Sequence, residues 1–139
     1  MEIFYIAYGS NLNLEEMSKR CPFSKKIGET ILEGYELECN RYLNIKKNVN
    51  SRIPVGIFRI AEGDLPNLDH YEDYPHLYYK EYLDIKLNNQ KIKALVYIMN
   101  EVNAHQKASQ EYIDICLQGY EDFHFDKKIL LRAFNNCDD

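Results

Sequence analysis

Tryptophan is absent from the 139-residue chain, and so are the features that would place it in several common functional classes. A basic footprint for nucleic acid is missing, since the net charge is −5. The densest basic cluster, Lys46-Lys47 with Arg52 nearby, is broken by asparagines and reads as a solvated loop. No apolar run approaches the roughly 20 residues that a membrane-spanning helix needs. The N-terminus has neither a basic n-region nor a cleavage-like site. Four cysteines stand at positions 21, 39, 116 and 137. None forms a Cys-x-x-Cys pair, and no histidine sits at metal-ligand spacing from one. The expectation is therefore four free thiols, no bound metal, a reducing compartment and a cytoplasmic location, with Cys116 a small buried hydrophobe. Nucleic acid and membrane are not expected partners.

Internal repeats, low-complexity tracts and linkers are missing too, and the length fits a single domain over residues 1–139. Such a chain can bury a sizeable core without staples. With 45% hydrophobic and 28% charged residues the composition is that of an ordinary globular protein. What is plentiful is tyrosine, twelve in all. Its apolar body and polar tip suit the wall of a cleft.

Residues 2 to 8 form a short apolar, β-branched and aromatic run, which predicts a buried strand. A helix follows over 13 to 20, with Asn13 as candidate N-cap, Glu16 three residues on as in a capping box, and Pro22 as its stop. Residues 26 to 45 predict two strands with Gly34 between them, 46 to 52 a loop, and Val55 to Ile60 another strand. Gly56 within that strand signals a bulge or a close backbone approach. A short helix is predicted over 64 to 73, with Asp64 as N-cap and Pro66 in its first turn. Tyr78 to Leu87 and Ile92 to Met99 predict a hairpin linked by Asn88-Asn89-Gln90. Ser109 should cap a further helix that Gly119 stops, and a last helix should start after Asp126. About six strands and four helices result, and the strands come in runs rather than alternating with helices. The expected fold is α+β, with a small, mixed, mostly antiparallel β-barrel flanked by helices.

Two places do not fit a plain core. The first is the helix at 64 to 73. At about 100° per residue, with Leu65 at zero, Leu68 falls at roughly 300°, Glu72 at roughly 340° and Asp69 at roughly 40°. Glu72 thus lies on the stripe that should face the core. A buried carboxylate is costly unless paired or neutral. Burial raises its pKa, neighbouring carboxylates such as Asp69 push the same way, and a carboxyl tuned toward neutral pH is what a general acid/base needs. The alternative is a helix end where Glu72 reaches water or pairs with a lysine.

The second is Gly9-Ser10-Asn11, between the buried strand and a helix N-terminus. Unpaired N–H groups and the helix dipole make such a corner a recurrent anion site, and glycine allows close approach. Glu15 and Glu16 early in the helix oppose an anion, and the spacing matches neither a Walker loop nor a dinucleotide fingerprint. A plain strand-to-helix turn is the alternative.

Both places occur together in one known family. Ala7-Tyr8-Gly9-Ser10-Asn11-Leu12 resembles the Tyr-Gly-Ser-Asn-Leu signature of the γ-glutamylcyclotransferase-like (AIG2-like) superfamily. Leu68-Asp69-His70-Tyr71-Glu72-Asp73-Tyr74-Pro75 is similar to its Leu-Asp-x-Tyr-Glu-Gly-Tyr-Pro segment. Cys21-Pro22, Tyr78 six residues after Glu72, and Ser109 to Tyr112 followed by Gly119-Tyr120 extend the likeness over almost the whole chain. Ala108 and Asp73 depart from the family's proline and glycine, and Asp73 adds a carboxylate beside Glu72. The longer, glutathione-specific branch carries Tyr-Gly-Ser-Leu and fits less well.

The resemblance implies a cofactor-independent enzyme that converts a small γ-glutamyl substrate to 5-oxoproline and releases an amine or amino acid. It implies Glu72 as the catalytic residue and Tyr8, Gly9, Ser10, Asn11 and Leu12 as the substrate-binding loop. Tyr78 and Tyr112 are candidate substrate-binding hydroxyls, or alternatively core aromatics. Backbone N–H groups from Gly9 to Leu12 would face either the oxyanion or the substrate's α-carboxylate. Ser10 as a nucleophile is the rival chemistry, without a histidine partner evident in the sequence. A catalytically inactive small-ligand or partner-binding member, and a γ-glutamyl-removing enzyme of a biosynthetic pathway, are the alternative functions. Oligomeric state and leaving amine are not specified.

Overall fold

A computed structural model of the chain describes residues 2–100 and 106–137. The apolar N-terminal run forms β1 (Ile3–Ala7), with Tyr5, Ile6 and Ala7 buried. A strand apolar on both faces belongs inside a sheet, and β1 is the central strand. It lies antiparallel to β3 (Tyr42–Ile60) and parallel to β5 (Gln90–Met99). β2 (Lys25–Asn40) and β4 (Tyr78–Leu87) complete the order β2-β3-β1-β5-β4. Four α-helices accompany the sheet: α1 (Leu14–Arg20), α2 (Leu65–Tyr71), α3 (Gln110–Asp122) and α4 (Lys128–Asn135). The α+β class holds, with a mostly antiparallel sheet.

The barrel does not close. β2 and β4 are free edges of the ladder. The sheet curls until they approach side chain to side chain, and a Cβ added to Gly28 of β2 would lie 3.0 Å from Leu87 Cδ1 of β4. The contact is apolar packing, so the sheet is curled and open.

Among the described residues there are five strands, not six, because the reversals differ from those expected. Gly34 (φ +81) lies inside β2, at a register shift where the facing strand β3 carries the extra residues. The chain reverses instead at Arg41 (φ +65), a residue type that does not advertise a turn. The expected loop at 46 to 52 is largely absorbed into β3. Register passes from Glu33↔Arg52 to Tyr35↔Lys47, so residues 48–51 bulge outward opposite Gly34. The second hairpin forms where expected but with a shorter link: Asn88 (φ +52) and Asn89 (φ +66) make a two-residue turn of the I′ kind, and Gln90 already belongs to β5.

Two caps are as expected. Asn13 Oδ1 accepts from Glu16 N at 3.0 Å, and Ser109 Oγ accepts from Tyr112 N at 3.1 Å. Asp64 does not cap α2. It is buried, and its carboxylate accepts instead from Phe23 N at 2.9 Å and Ser24 Oγ at 2.8 Å, so it ties the α1–β2 connection to the start of α2. Nor do the cysteines all remain free. Cys39 of β2 and Cys137 beyond α4 form a disulfide across a Cα separation of 4.6 Å, while Cys21 and Cys116 are free and buried. Two residues 98 apart in sequence carry no spacing signal for such a pair. The pairing removes the free-thiol ground for expecting a reducing compartment. No helix among the described residues is long and apolar enough to cross a membrane.

Two glycines set the distances that matter. At Gly56 a Cβ would fall 2.7 Å from the Phe123 ring and 2.8 Å from Leu12 Cδ2, so the close approach, not a bulge, is its role. Gly119 does not end α3, which runs on to Asp122. A Cβ there would stand 2.6 Å from Asn13 N and 2.8 Å from the Leu12 carbonyl carbon. Alanine would add about 1 kcal/mol of helix propensity at this position. Those backbone atoms cannot rotate away, however, so overpacking should win. Gly119→Ala is expected to lose about 1–3 kcal/mol in urea unfolding. A neutral or stabilising result would mean that α3 does not press on Leu12 and Asn13.

Candidate functional site

Beyond β1 the chain turns through a single 3-10 turn, Ser10–Leu12, whose three residues are all buried. Leu12 N and Asn13 N close it onto Gly9 O and Ser10 O, each at 3.0 Å. A 3-10 turn leaves its first amides outside its own ladder, so Ser10 N and Asn11 N are not bonded within the turn, whereas Leu12 N is used internally. At the N-terminus of α1 two first-turn amides are already taken, Glu16 N by Asn13 and Leu14 N by Asp122 Oδ2, both at 3.0 Å. Asn13 Nδ2 also donates to Ile115 O at 3.2 Å, which fastens the corner to α3.

Glu72 is the C-cap residue of α2 and carries its carboxyl back toward this corner. Asn11 Nδ2 donates to Glu72 Oε1 at 3.2 Å and to Tyr5 Oη at 2.9 Å. Arg20 Nη1 donates to Asn11 Oδ1, and the Arg20 guanidinium lies 3.5 Å from the centre of the Tyr71 ring. Tyr71 Oη in turn shares a hydrogen bond with Ser10 Oγ at 2.8 Å. The partner of Ser10 is thus a phenol, not a histidine.

Burial pushes the Glu72 carboxyl up from its ordinary 4.5 to about 8, and the nearby Arg20 charge offsets part of that rise. The rise is desolvation, not repulsion from Asp69. That carboxylate faces away, 3.0 Å from Lys80 Nζ and bonded to Tyr97 Oη. Asp73 is exposed at the mouth of the cavity. It adopts the left-handed conformation (φ +51) that the family's glycine would take more easily.

A cavity of about 510 Å³ reaches Ser10, Glu72, Tyr78 and Tyr112, with Arg41, Asp73 and Gln106 among its other lining residues. A small inner recess shares those four residues and adds Tyr5, Tyr8, Gly9, Asn11, Leu43 and Tyr97. The outer volume suits a small molecule. A second cavity of about 630 Å³, between the β2–β3 hairpin and α4, contains neither Glu72 nor any corner residue.

Of the residues singled out from the sequence, Tyr8, Gly9, Ser10, Asn11, Tyr78, Tyr112 and Glu72 therefore meet at one recess. Leu12 does not line it; its side chain packs into the core behind, near Gly56 and Gly119. The tyrosine hydroxyls have protein partners. Tyr8 Oη donates to Tyr97 O at 2.8 Å, Tyr78 Oη donates to Leu43 O at 2.7 Å, and Tyr112 Oη accepts from Leu43 N at 3.0 Å. Tyr112 retains a proton to donate and Tyr78 a lone pair to accept with. Arg20, Tyr71 and Tyr5 were not singled out. Arg20 had a signal, lying three residues beyond the buried Met17 on the same face of α1. Among the described residues no group of three or more His, Cys, Asp or Glu is placed to hold a metal.

This fold recurs in solved structures. One titled gamma-glutamyl cyclotransferase superposes with a TM-score of 0.83 at 16% identity, over 96% of this chain and 86% of that one. An uncharacterized protein from Homo sapiens gives 0.82 at 17%, over 95% and 86%. YkqA from Bacillus subtilis gives 0.82 at 18%, over 99% of this chain but 55% of its own. At such identities the likeness is one of fold. No curated protein matches the chain by sequence. The description of one family, Gamma-glutamyl cyclotransferase, AIG2-like, matches residues 5–119, and the chain belongs to that family.

The raised Glu72 pKa has a consequence for stability. Below pH 4.5 the carboxyl is protonated in both folded and unfolded chains. As pH rises toward 8 the unfolded chain ionises first, so stability falls, and above 8 the loss is complete. Glu72→Gln cannot ionise. Its stability relative to wild type should therefore rise between pH 5 and pH 8, by on the order of 2 kcal/mol once the shift is discounted for water entering the cavity. Urea unfolding at the two pH values measures this, and a pH-independent difference would show an ordinary carboxyl.

Proposed function

We propose that the protein is a γ-glutamyl cyclotransferase that releases 5-oxoproline from a small γ-glutamyl amide, with Glu72 as general acid/base. The observation that carries this reading is the half-buried Glu72 carboxyl, raised to about 8 by desolvation and hydrogen-bonded to Asn11 at the wall of a 510 Å³ cavity. Membership of the family supports it.

In a γ-glutamyl amide the α-amine and the γ-carbonyl belong to one molecule. Closing a five-membered ring needs the chain folded into attack geometry, where orientation is worth several kcal/mol. Glu72 takes a proton as the α-nitrogen bonds to the γ-carbon. The carbonyl oxygen gains negative charge, which the Ser10 and Asn11 amides, unbonded within their own turn, are suited to stabilise, or they bind the α-carboxylate instead. Glu72 then returns the proton to the departing nitrogen as the old C–N bond breaks. Oε1 is held by Asn11 and leaves Oε2 for proton transfer. The walls limit the water that could compete: Tyr5, Tyr8 and Tyr78 are buried.

A screen of γ-glutamyl compounds monitored for 5-oxoproline tests the proposal. Wild type should turn over at least one of them, and Glu72→Gln should lower kcat by about 10²–10⁴-fold while keeping the fold. Retention of about a tenth of the rate or more would remove Glu72 from the chemistry. With Glu72 as the base, kcat/KM should climb with pH through about 8. A profile flat from pH 6 to 9 would contradict that assignment.

A further inference from the structure

We propose that Arg20 is a positioning residue, one that locks the Asn11 side-chain amide with its NH2 group toward Glu72 and supplies the positive charge nearest that half-buried carboxyl. A side-chain amide has two orientations, and its neighbours choose between them. Asn11 is 2% exposed, so water does not decide. Its partners are Arg20 Nη1, Tyr5 Oη and Glu72 Oε1. Guanidinium has five donors and no acceptor, and it does not lose its proton in proteins. If the amide turned over, NH2 would meet guanidinium, a repulsive contact at any pH, and the amide oxygen would meet Glu72, repulsive once that carboxyl ionises. Tyr5 can donate or accept, so it does not choose. Arg20 therefore sets the orientation at every pH.

Arg20 is itself held on two sides. Its plane stacks on Tyr71 at 3.5 Å, and Nη2 lies 3.5 Å from Glu16 Oε1. Stacking and a forked donor set suit arginine rather than lysine. The same group thereby braces both walls of the site, since Tyr71 holds Ser10 and Asn11 holds Glu72.

The titratable groups that feel the Glu72 charge are Tyr5 and Tyr8 from β1, Tyr71 next to it, Tyr78 from β4 and Tyr97 from β5. Burial holds each phenol above its usual range, so all five are neutral near pH 7. Arg20 is the charged group that acts on Glu72, and it lowers the carboxyl's pKa against burial. Asn11 is thus the mechanical link and Arg20 the electrostatic one.

The role of this pair in turnover rests on the cyclotransferase reading, but the ionisation of Glu72 can be followed without substrate. Carboxyl ¹³C NMR titration of the full chain should give a Glu72 midpoint near 8 in wild type. Arg20→Met should move it up by roughly one pH unit, and Arg20→Lys, which restores the charge, should bring it back toward wild type. Arg20→Gln, neutral but still a donor to Asn11, provides the same measurement should the methionine variant not fold. Its midpoint should also rise. An unchanged midpoint in a folded neutral variant, or a lysine variant that titrates like the neutral one, would overturn the proposal. In an active protein the rising limb of kcat/KM should move with the NMR midpoint, and Arg20→Lys should restore the limb's position but not the full plateau rate. A protein inactive on every γ-glutamyl compound would refute the cyclotransferase reading and leave the titration result standing.

Discussion

The hydrogen bond from Asn11 to Glu72 is the contact on which the rest of this architecture depends. A carboxyl enclosed by protein loses most of its hydration and is costly to ionise. Here it is neither fully neutralised by an ion pair nor left alone. One amide donor, one arginine at second hand and a ring of neutral phenols hold it near the middle of the physiological range. A direct salt bridge would have pulled the pKa down, and a dry apolar pocket would have pushed it further up. The intermediate value suits the general acid/base role proposed for Glu72, which needs the group both to take and to give a proton.

That contact joins two segments sixty-one residues apart, so the fold must deliver them to the same place. β1 does so for Asn11. As the central strand it is clamped on both edges, and the corner at its end inherits that rigidity. Two glycines then let neighbours close in, with the Phe123 ring against Gly56 and the helix at Gly119 against Leu12 and Asn13. Tyr78 and Tyr112 grip the amide and carbonyl of Leu43, drawing β3 to the same recess. The abundance of tyrosine has its use here. A phenol fills the wall with apolar area and still satisfies a backbone group that would otherwise be buried unpaired. In the proposed reaction, donors held this firmly would need little reorganisation when charge develops in front of them.

Much of this was legible in the sequence because it is written in short-range patterns. β1, the capped starts of α1 and α3, and the Asn88-Asn89 turn follow from hydrophobic runs and local hydrogen-bonding chemistry. The misplacement of Glu72 on an apolar stripe was visible from helical periodicity alone. What misled was residue type read without context. Gly119 looks like a helix stop and is a packing contact, Gly34 looks like a turn and lies within β2 opposite a bulge of β3, and Asp64 looks like a cap and is a tie between α2 and the α1–β2 connection. In each case the residue's local preference permits both uses, and the deciding partner is distant in sequence.

The sequence by itself determined the class of the fold, the Tyr-Gly-Ser-Asn corner and the acid that answers it. Periodicity and turn chemistry are local properties, and family motifs are contiguous. Tertiary structure alone decided that the sheet stays open, that Cys39 meets Cys137, that Asp122 occupies the Leu14 amide of α1, and that Leu12 turns into the core. It also decided which groups stand around Glu72. Desolvation and charge act through space, so the pKa of a carboxyl and the orientation of the amide that holds it depend on neighbours that no spacing along the chain reveals.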